Sequence, residues 1–128
     1  MMFYFIYSVL IPVKLKSGAA VAGLIIYIAG FAVYASAWVV IASPGEGCLF
    51  KRGPFRYSRH PVYLSAAILF LGTGLMSNSI FFLGLSVVTA LTHMHNAYGE
   101  EKNCIETFGD EYSTYMIQTP RWIGRPRV

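Results

Sequence analysis

Two short clusters hold most of this chain's capacity for chemistry. The first is "KRGPFRYSRHPVYLS", residues 51–65, in which Arg59 and His60 stand directly before Pro61 and a long apolar run. Proline suits the first position of a helix, where its missing N–H costs nothing, so His60 falls at or beside the N-cap. The free N–H groups and the positive end of the helix dipole then face whatever lies next to Arg59 and His60, which makes an anion site. The plain alternative is that Arg56 and Arg59 hold lipid phosphates at a membrane surface.

The second cluster is "YGEEKNCIETFGDEYSTYM", residues 98–116. Steps of four, three, four and three place Glu101, Ile105, Phe108, Tyr112 and Tyr115 on one helical stripe. Glu101 then lies within an apolar face, where a carboxylate needs a cation. That cation is either Arg56 or Arg59, in a structural salt bridge, or the ammonium of a ligand. Glu100 lies about 100° further round, at the edge of the stripe. An anion site and a carboxylate pair at the two ends of one helical hairpin suit a ligand that carries both charges. S-adenosylmethionine is such a ligand, with Phe55, Tyr57 and Tyr63 available to stack on its adenine or face its sulfonium. NADPH or a phospholipid headgroup would use similar groups.

His93 and His95, at i and i+2 on a helix, point apart and do not form a zinc pair. They read as polar residues at the end of a membrane helix, one of which could touch substrate or act as a base.

The elements that must position these residues follow from composition. The chain has 128 residues, enough for one domain, and is 55% hydrophobic with a mean hydropathy of +0.53, far outside the soluble range. Lys, Arg, Asp and Glu are absent from Ser17 to Gly45 and from His60 to Gly99. The first stretch holds one membrane crossing; the second, about 60 Å long as a straight helix, is twice the apolar thickness and must fold back. The turn is expected in "GTGLMSNS", Gly72–Ser79, giving helices from Pro61 to about Met76 and from about Ile80 to Tyr98. Residues 1–13 read as a short or tilted first helix ending near Pro12, with no basic n-region or cleavage site of a signal peptide.

With four helices, eight basic residues lie on one side and only Lys14 and Lys16 on the other, which predicts a cytoplasmic loop 44–59 and C-terminal tail. The net charge of +4 is thus explained by topology, and no basic helix or aromatic platform points to nucleic acid. Cys48 and Cys104 lack metal or redox spacing and both map to the reducing side, so no disulfide is expected.

"GPFRYSRHPVYLS", then "EEKNCIETFGDEYSTYM", then "TPRW", about residues 44–124, resembles the C-terminal half of the isoprenylcysteine carboxyl methyltransferase and phospholipid methyltransferase superfamily. Its members carry Gly-x-Tyr-x-x-x-Arg-His-Pro-x-Tyr, Glu-Glu, Phe-Gly-x-x-Tyr-x-x-Tyr and a closing Pro-Arg. The resemblance implies that His60 and the adjacent backbone bind the amino acid portion of the cofactor. It also implies that Tyr63 and residues 47–50 line the pocket, that Glu100 or Glu101 contacts the cofactor, and that Phe108, Gly109 and Tyr112 hold the last helix. Phe55 departs from the family's tyrosine. Asn96 stands where relatives that methylate carboxyl groups have an arginine, which weakens a carboxylate acceptor here.

The expectation is an all-α integral membrane bundle of about four membrane helices, a single domain with N-terminal helices over 1–43 and a cofactor-binding core over 44–128. Its activity would be S-adenosylmethionine-dependent methyl transfer to a lipophilic or lipidated acceptor, by in-line displacement. The alternatives are an NADPH-dependent membrane reductase and a non-catalytic lipid-binding subunit. Candidate cofactor residues are Cys48, Leu49, Phe50, Phe55, Arg59, His60, Tyr63, Glu100 and Glu101; His93, His95 and Asn96 are candidates on the acceptor side. No metal is called for, and the oligomeric state is open.

Overall fold

The computed structural model describes residues 17–43 and 49–127, and these form helices with no strand among them. Helix α1 spans Gly18–Ile41, a 3₁₀ turn covers Gly53–Arg56, α2 spans Pro61–Ser77, α3 spans Ile80–Phe108 and α4 spans Asp110–Gln118. The expected first helix over 1–13 and the candidate residue Cys48 lie outside the described residues.

α1 and α3 are long and apolar enough to cross a membrane. α2 is apolar but has 17 residues, about 25 Å of helix. Ser17 caps α1, its hydroxyl accepting the Ala20 amide at 3.2 Å. Beyond that cap α1 carries almost no polar side chain; what orients it is size. Its buried residues are Ala20, Gly23, Gly30 and Ala37, the last three at a strict spacing of seven, so small residues form a seam along one face. The large side chains Ile25, Ile28 and Val39 point outward, as a helix surrounded by lipid requires.

That seam presses on α2. A Cβ built on Gly72 would stand 2.7 Å from the Tyr27 amide nitrogen, and one on Gly23 would stand 2.7 Å from that of Met76. Gly74 serves α3 in the same way, since a Cβ there would meet the Leu83 side chain at 2.7 Å. The glycines of "GTGLMSNS" therefore lie inside α2 and permit close approach. The reversal comes later in the segment, at Asn78, which adopts a left-handed conformation (φ 49°, ψ 40°) tolerated by asparagine. The Ser86 hydroxyl then donates across the hairpin to the Ala67 carbonyl at 3.0 Å.

The start of the hairpin agrees with expectation, with Pro61 in the first turn of α2 and His60 as its N-cap. The end does not. α3 runs ten residues past Tyr98 to Phe108, a length of about 43 Å, which exceeds the apolar thickness by two to three turns. It stops at Gly109, whose φ of 53° breaks the chain between α3 and α4. The stripe Glu101–Ile105–Phe108–Tyr112–Tyr115 thus does not lie on one helix. Its true members on α3 are Ala97, Glu101 and Cys104, all buried, whereas Ile105 is exposed. Tyr112 and Tyr115 return from α4 to pack on Cys104, with Leu49, Phe108 and Met116 around them.

Cys104 is disulfide-bonded, contrary to expectation; its partner lies outside the described residues. Sequence spacing carries no information about this, because a disulfide depends on which residues the fold brings together.

The seam yields a contrast between two glycines. Gly72→Ala should lower stability by about 1–3 kcal/mol, because the new methyl meets backbone that cannot swing aside. Gly84→Ala, where nothing lies within 4 Å, should be neutral or stabilise by up to about 1 kcal/mol. Thermal melts in detergent check both, and equal effects would contradict the packing described.

Candidate functional site

Glu101 is the centre of the polar cluster. Its side chain is 4% exposed, and two guanidiniums and an imidazole converge on it from two other segments. Arg121 grips it bidentately, Nε donating to Oε1 at 3.0 Å and Nη2 to Oε2 at 2.7 Å. His60 Nε2 lies 3.0 Å from Oε1, and Arg59 Nη1 stands 3.4 Å from the same oxygen. The salt bridge to Arg59 is one of the partners the sequence suggests. Arg56 is exposed and takes no part.

Arg121 was not anticipated. It reaches Glu101 because residues after α4 turn back along the segment before α2. The Arg59 amide donates to the Pro120 carbonyl at 3.0 Å, the Ser58 hydroxyl to the Arg121 carbonyl at 3.2 Å, and the Gly124 amide to the Tyr57 carbonyl at 3.1 Å. The Tyr115 hydroxyl donates to the Phe55 carbonyl at 3.2 Å, tying α4 to the same segment. Arg121 also lies over the Tyr98 ring, 4.3 Å from its centroid. The signal in the sequence was "TPRW", where an arginine between proline and tryptophan is fixed in place rather than trailing in solvent.

Glu100 differs from its neighbour. Its side chain is 53% exposed, accepts the Tyr63 hydroxyl, and has Oε2 3.6 Å from His60 Nδ1. Tyr63 lies parallel to two imidazoles, with centroids 5.6 Å from His60 and 4.4 Å from His93. Trp122 lies 6.0 Å from His60. Beside this ring stack a cavity of about 300 Å³ opens between α2 and α3, lined by Leu64, Ala67, Ala90 and Met94 together with Tyr63, His93 and Trp122.

The structure therefore brings together Arg59, His60, Tyr63, Glu100 and Glu101, and sets His93 next to them. His95 and Asn96 are exposed on α3. Leu49 packs on the Cys104–Tyr112–Tyr115 core, and Phe50 lies against the buried Phe55 at 4.9 Å, so these three stand behind the cluster. Phe55 supports the cluster through its carbonyl, which any residue would supply.

Two donors of Arg59, Nε and Nη1, are buried without a hydrogen-bond partner, as is His93 Nδ1. Burial lowers the His60 pKa from its ordinary value of 6.5, against the pull of both glutamates, whereas the hydrogen bonds to Glu101 hold that of Arg121 high. His60 is thus favoured as the neutral imidazole, with Nε2–H donated to Glu101 and Nδ1 left as an acceptor. Among the described residues no group of three His, Cys, Asp or Glu could hold a metal.

Two outcomes follow. Glu101→Gln leaves Arg59, His60 and Arg121 around a neutral amide, and should cost about 3–5 kcal/mol in a detergent melt; an unchanged melt would contradict the ionic centre. The stability that neutral His60 contributes is complete above its unfolded pKa of 6.5 and is lost as pH falls from there through the lower folded value. His60→Asn should flatten the decline of melting temperature in that window.

Comparison with curated proteins and with solved structures gives no match. The family model for phospholipid methyltransferases matches residues 19–111, from α1 through the hairpin to the first turn of α4. That range includes Arg59, His60, Tyr63, Glu100 and Glu101, in line with the resemblance carried by their motifs. The chain therefore belongs to the phospholipid methyltransferase family, a family of membrane enzymes that transfer methyl groups.

Proposed function

We propose that this chain transfers the methyl group of S-adenosylmethionine to a lipophilic acceptor. The observation that carries the reading is the unequal state of two adjacent carboxylates. Glu101 is closed by Arg121, His60 and Arg59, and holds the site together. Glu100 is exposed, and its oxygen stands 3.6 Å from His60 Nδ1, the nitrogen that carries a lone pair when a neutral ring donates Nε2–H to Glu101. Two acceptors so placed repel unless a donor joins them, and an ammonium, with three N–H donors, suits the position.

Arg59 stands two residues before α2, whose first-turn amides have no intrahelical partner; its Nε has no hydrogen-bond partner and its Nη1 has only the 3.4 Å ion pair to Glu101. A carboxylate there would satisfy both. Arg59, His60 and Glu100 would thus hold the two charged groups of an amino acid head. Tyr63 and Trp122 supply the rings that a sulfonium or adenine favours.

S-adenosylmethionine supplies a methyl group on an already activated leaving group. The residues of the chain need only orient the partners and exclude water, which accords with the ion pairs and rings that the described residues bring together. The cavity bounded by Tyr63, His93 and Trp122 would receive the acceptor from between α2 and α3. The chain would cross the membrane several times. Its basic loop and tail favour placing the cofactor side in the cytoplasm.

Calorimetry on the detergent-purified protein tests this. S-adenosylmethionine should bind saturably, and Glu100→Gln should weaken it about tenfold or more while leaving the melt unchanged, since one charge-assisted hydrogen bond is lost from an exposed position. Saturable binding of NADPH alone would favour a reductase, and unchanged affinity in the variant would refute the ammonium site.

A further inference from the structure

A second cavity, of about 140 Å³, lies among the 3₁₀ turn, the end of α4 and the tail that follows it. Lys51, Arg56 and Arg127 line it together with Gln118, Thr119 and Tyr115, and no carboxylate is among its walls. We propose that this cavity binds a phosphate group. It shares no lining residue with the Glu101 cluster or with the cavity between α2 and α3, so its occupant stands apart from the charged head and the acceptor discussed above.

The fold gathers these cations from distant parts of the chain. Arg56 closes the 3₁₀ turn and Lys51 precedes it, while the Arg127 amide donates to the Gln118 carbonyl at 2.8 Å and returns the tail to the end of α4. That hydrogen bond also occupies a carbonyl at the negative end of the α4 dipole, which would otherwise oppose an anion. Tyr115 and Thr119 are buried, whereas Lys51, Arg56 and Arg127 are exposed. The charges therefore surround a formed pocket with a polar inner wall.

Little within the described residues neutralises them. Lys51 Nζ lies 3.7 Å from Glu111 Oε1, but both side chains are more than half exposed, and such a pair contributes little. No carboxylate of the described residues forms an ion pair with Arg56 or Arg127. Each guanidinium can meet two oxygens with its fork. A carboxylate has only two oxygens, which one fork satisfies; a phosphate has enough for both arginines and the lysine. The volume is many times what a single water needs, so a tetrahedral oxyanion fits.

A phosphate held there would join the segment around the 3₁₀ turn to the tail, the same two segments that carry Arg59 and Arg121 to Glu101. α4 follows the part of α3 that overruns the apolar thickness, where both lipid headgroups and phosphate from solution have access.

The test is calorimetric titration of the full chain in an uncharged detergent. One probe is dihexanoyl phosphatidic acid, which carries a phosphate and no amine; the other is inorganic phosphate. The lipid should bind saturably without S-adenosylmethionine and raise the melting temperature. Arg56→Gln and Arg127→Gln should each weaken it about tenfold, the scale of one charge-assisted hydrogen bond. Arg125→Gln removes the same charge from the same tail but not from the cavity wall, and should stay within about threefold of the parent.

Binding of the lipid alone would assign the site to a headgroup phosphate. Binding of both probes, with the same sensitivity to Arg56 and Arg127, would assign it to phosphate from either source. The proposal is overturned if neither probe saturates, if Arg56→Gln and Arg127→Gln bind as the parent does, or if Arg125→Gln costs as much as they do. None of these outcomes depends on methyl transfer, so the two readings stand or fall separately.

Discussion

A carboxylate buried at the end of a membrane helix must be met by cations, and much of this structure is arranged around that requirement. Glu101 collects Arg59 and His60 from the segment before α2 and Arg121 from the segment after α4. Glu101 or Arg59 alone would be a costly buried charge; together with His60 and Arg121 they join three segments of the chain. The apolar helices cannot do this themselves. Among lipid tails a hydrophobic surface has no preferred partner, so α1 and α2 are matched by close approach of glycines, and the polar ends by ion pairing.

Because Glu101 is fully engaged, the adjacent Glu100 is left with spare accepting capacity. That asymmetry comes from helix geometry: a step of one residue turns a side chain by about 100°, from the packed face of α3 to its open edge. The Tyr63 ring then spans the two regions, with Glu100 and His60 at one side of its contacts and His93 with the cavity at the other. A charged head and a lipophilic acceptor can thus be handled within one small bundle.

Much of this was legible in the sequence. Pro61 announced the start of α2, the length of the charge-free run demanded a hairpin, and a glutamate in an apolar face demanded a cation. The failures share a physical cause. Gly72 and Gly74 read as turn residues because glycine serves both turns and close packing, and only the partner helix decides which. The stripe through Ile105 was one residue off because steps of three and of four both keep near one helical face, and from Glu101 the buried step within α3 is three, to Cys104; Gly109 then ends that helix before Tyr112. The place of Arg121 depends on a segment that returns from a distance after α4, and no local pattern encodes where it lands; nor does one encode the Cys104 disulfide. The first helix expected over residues 1–13 lies outside the described residues, of which two helices, α1 and α3, are long and apolar enough to cross a membrane.

The most direct test of the central claim, that Glu101 engages His60 and leaves Nδ1 facing Glu100 for a ligand's ammonium, is nitrogen NMR of the His60 imidazole. The protein would be uniformly labelled, in detergent, with His60→Asn to assign the signals. The account predicts a neutral ring protonated at Nε2, with an Nδ1 resonance that moves on addition of S-adenosylmethionine while Nε2 holds. A ring protonated at both nitrogens, or an Nδ1 signal indifferent to the ligand, would contradict it.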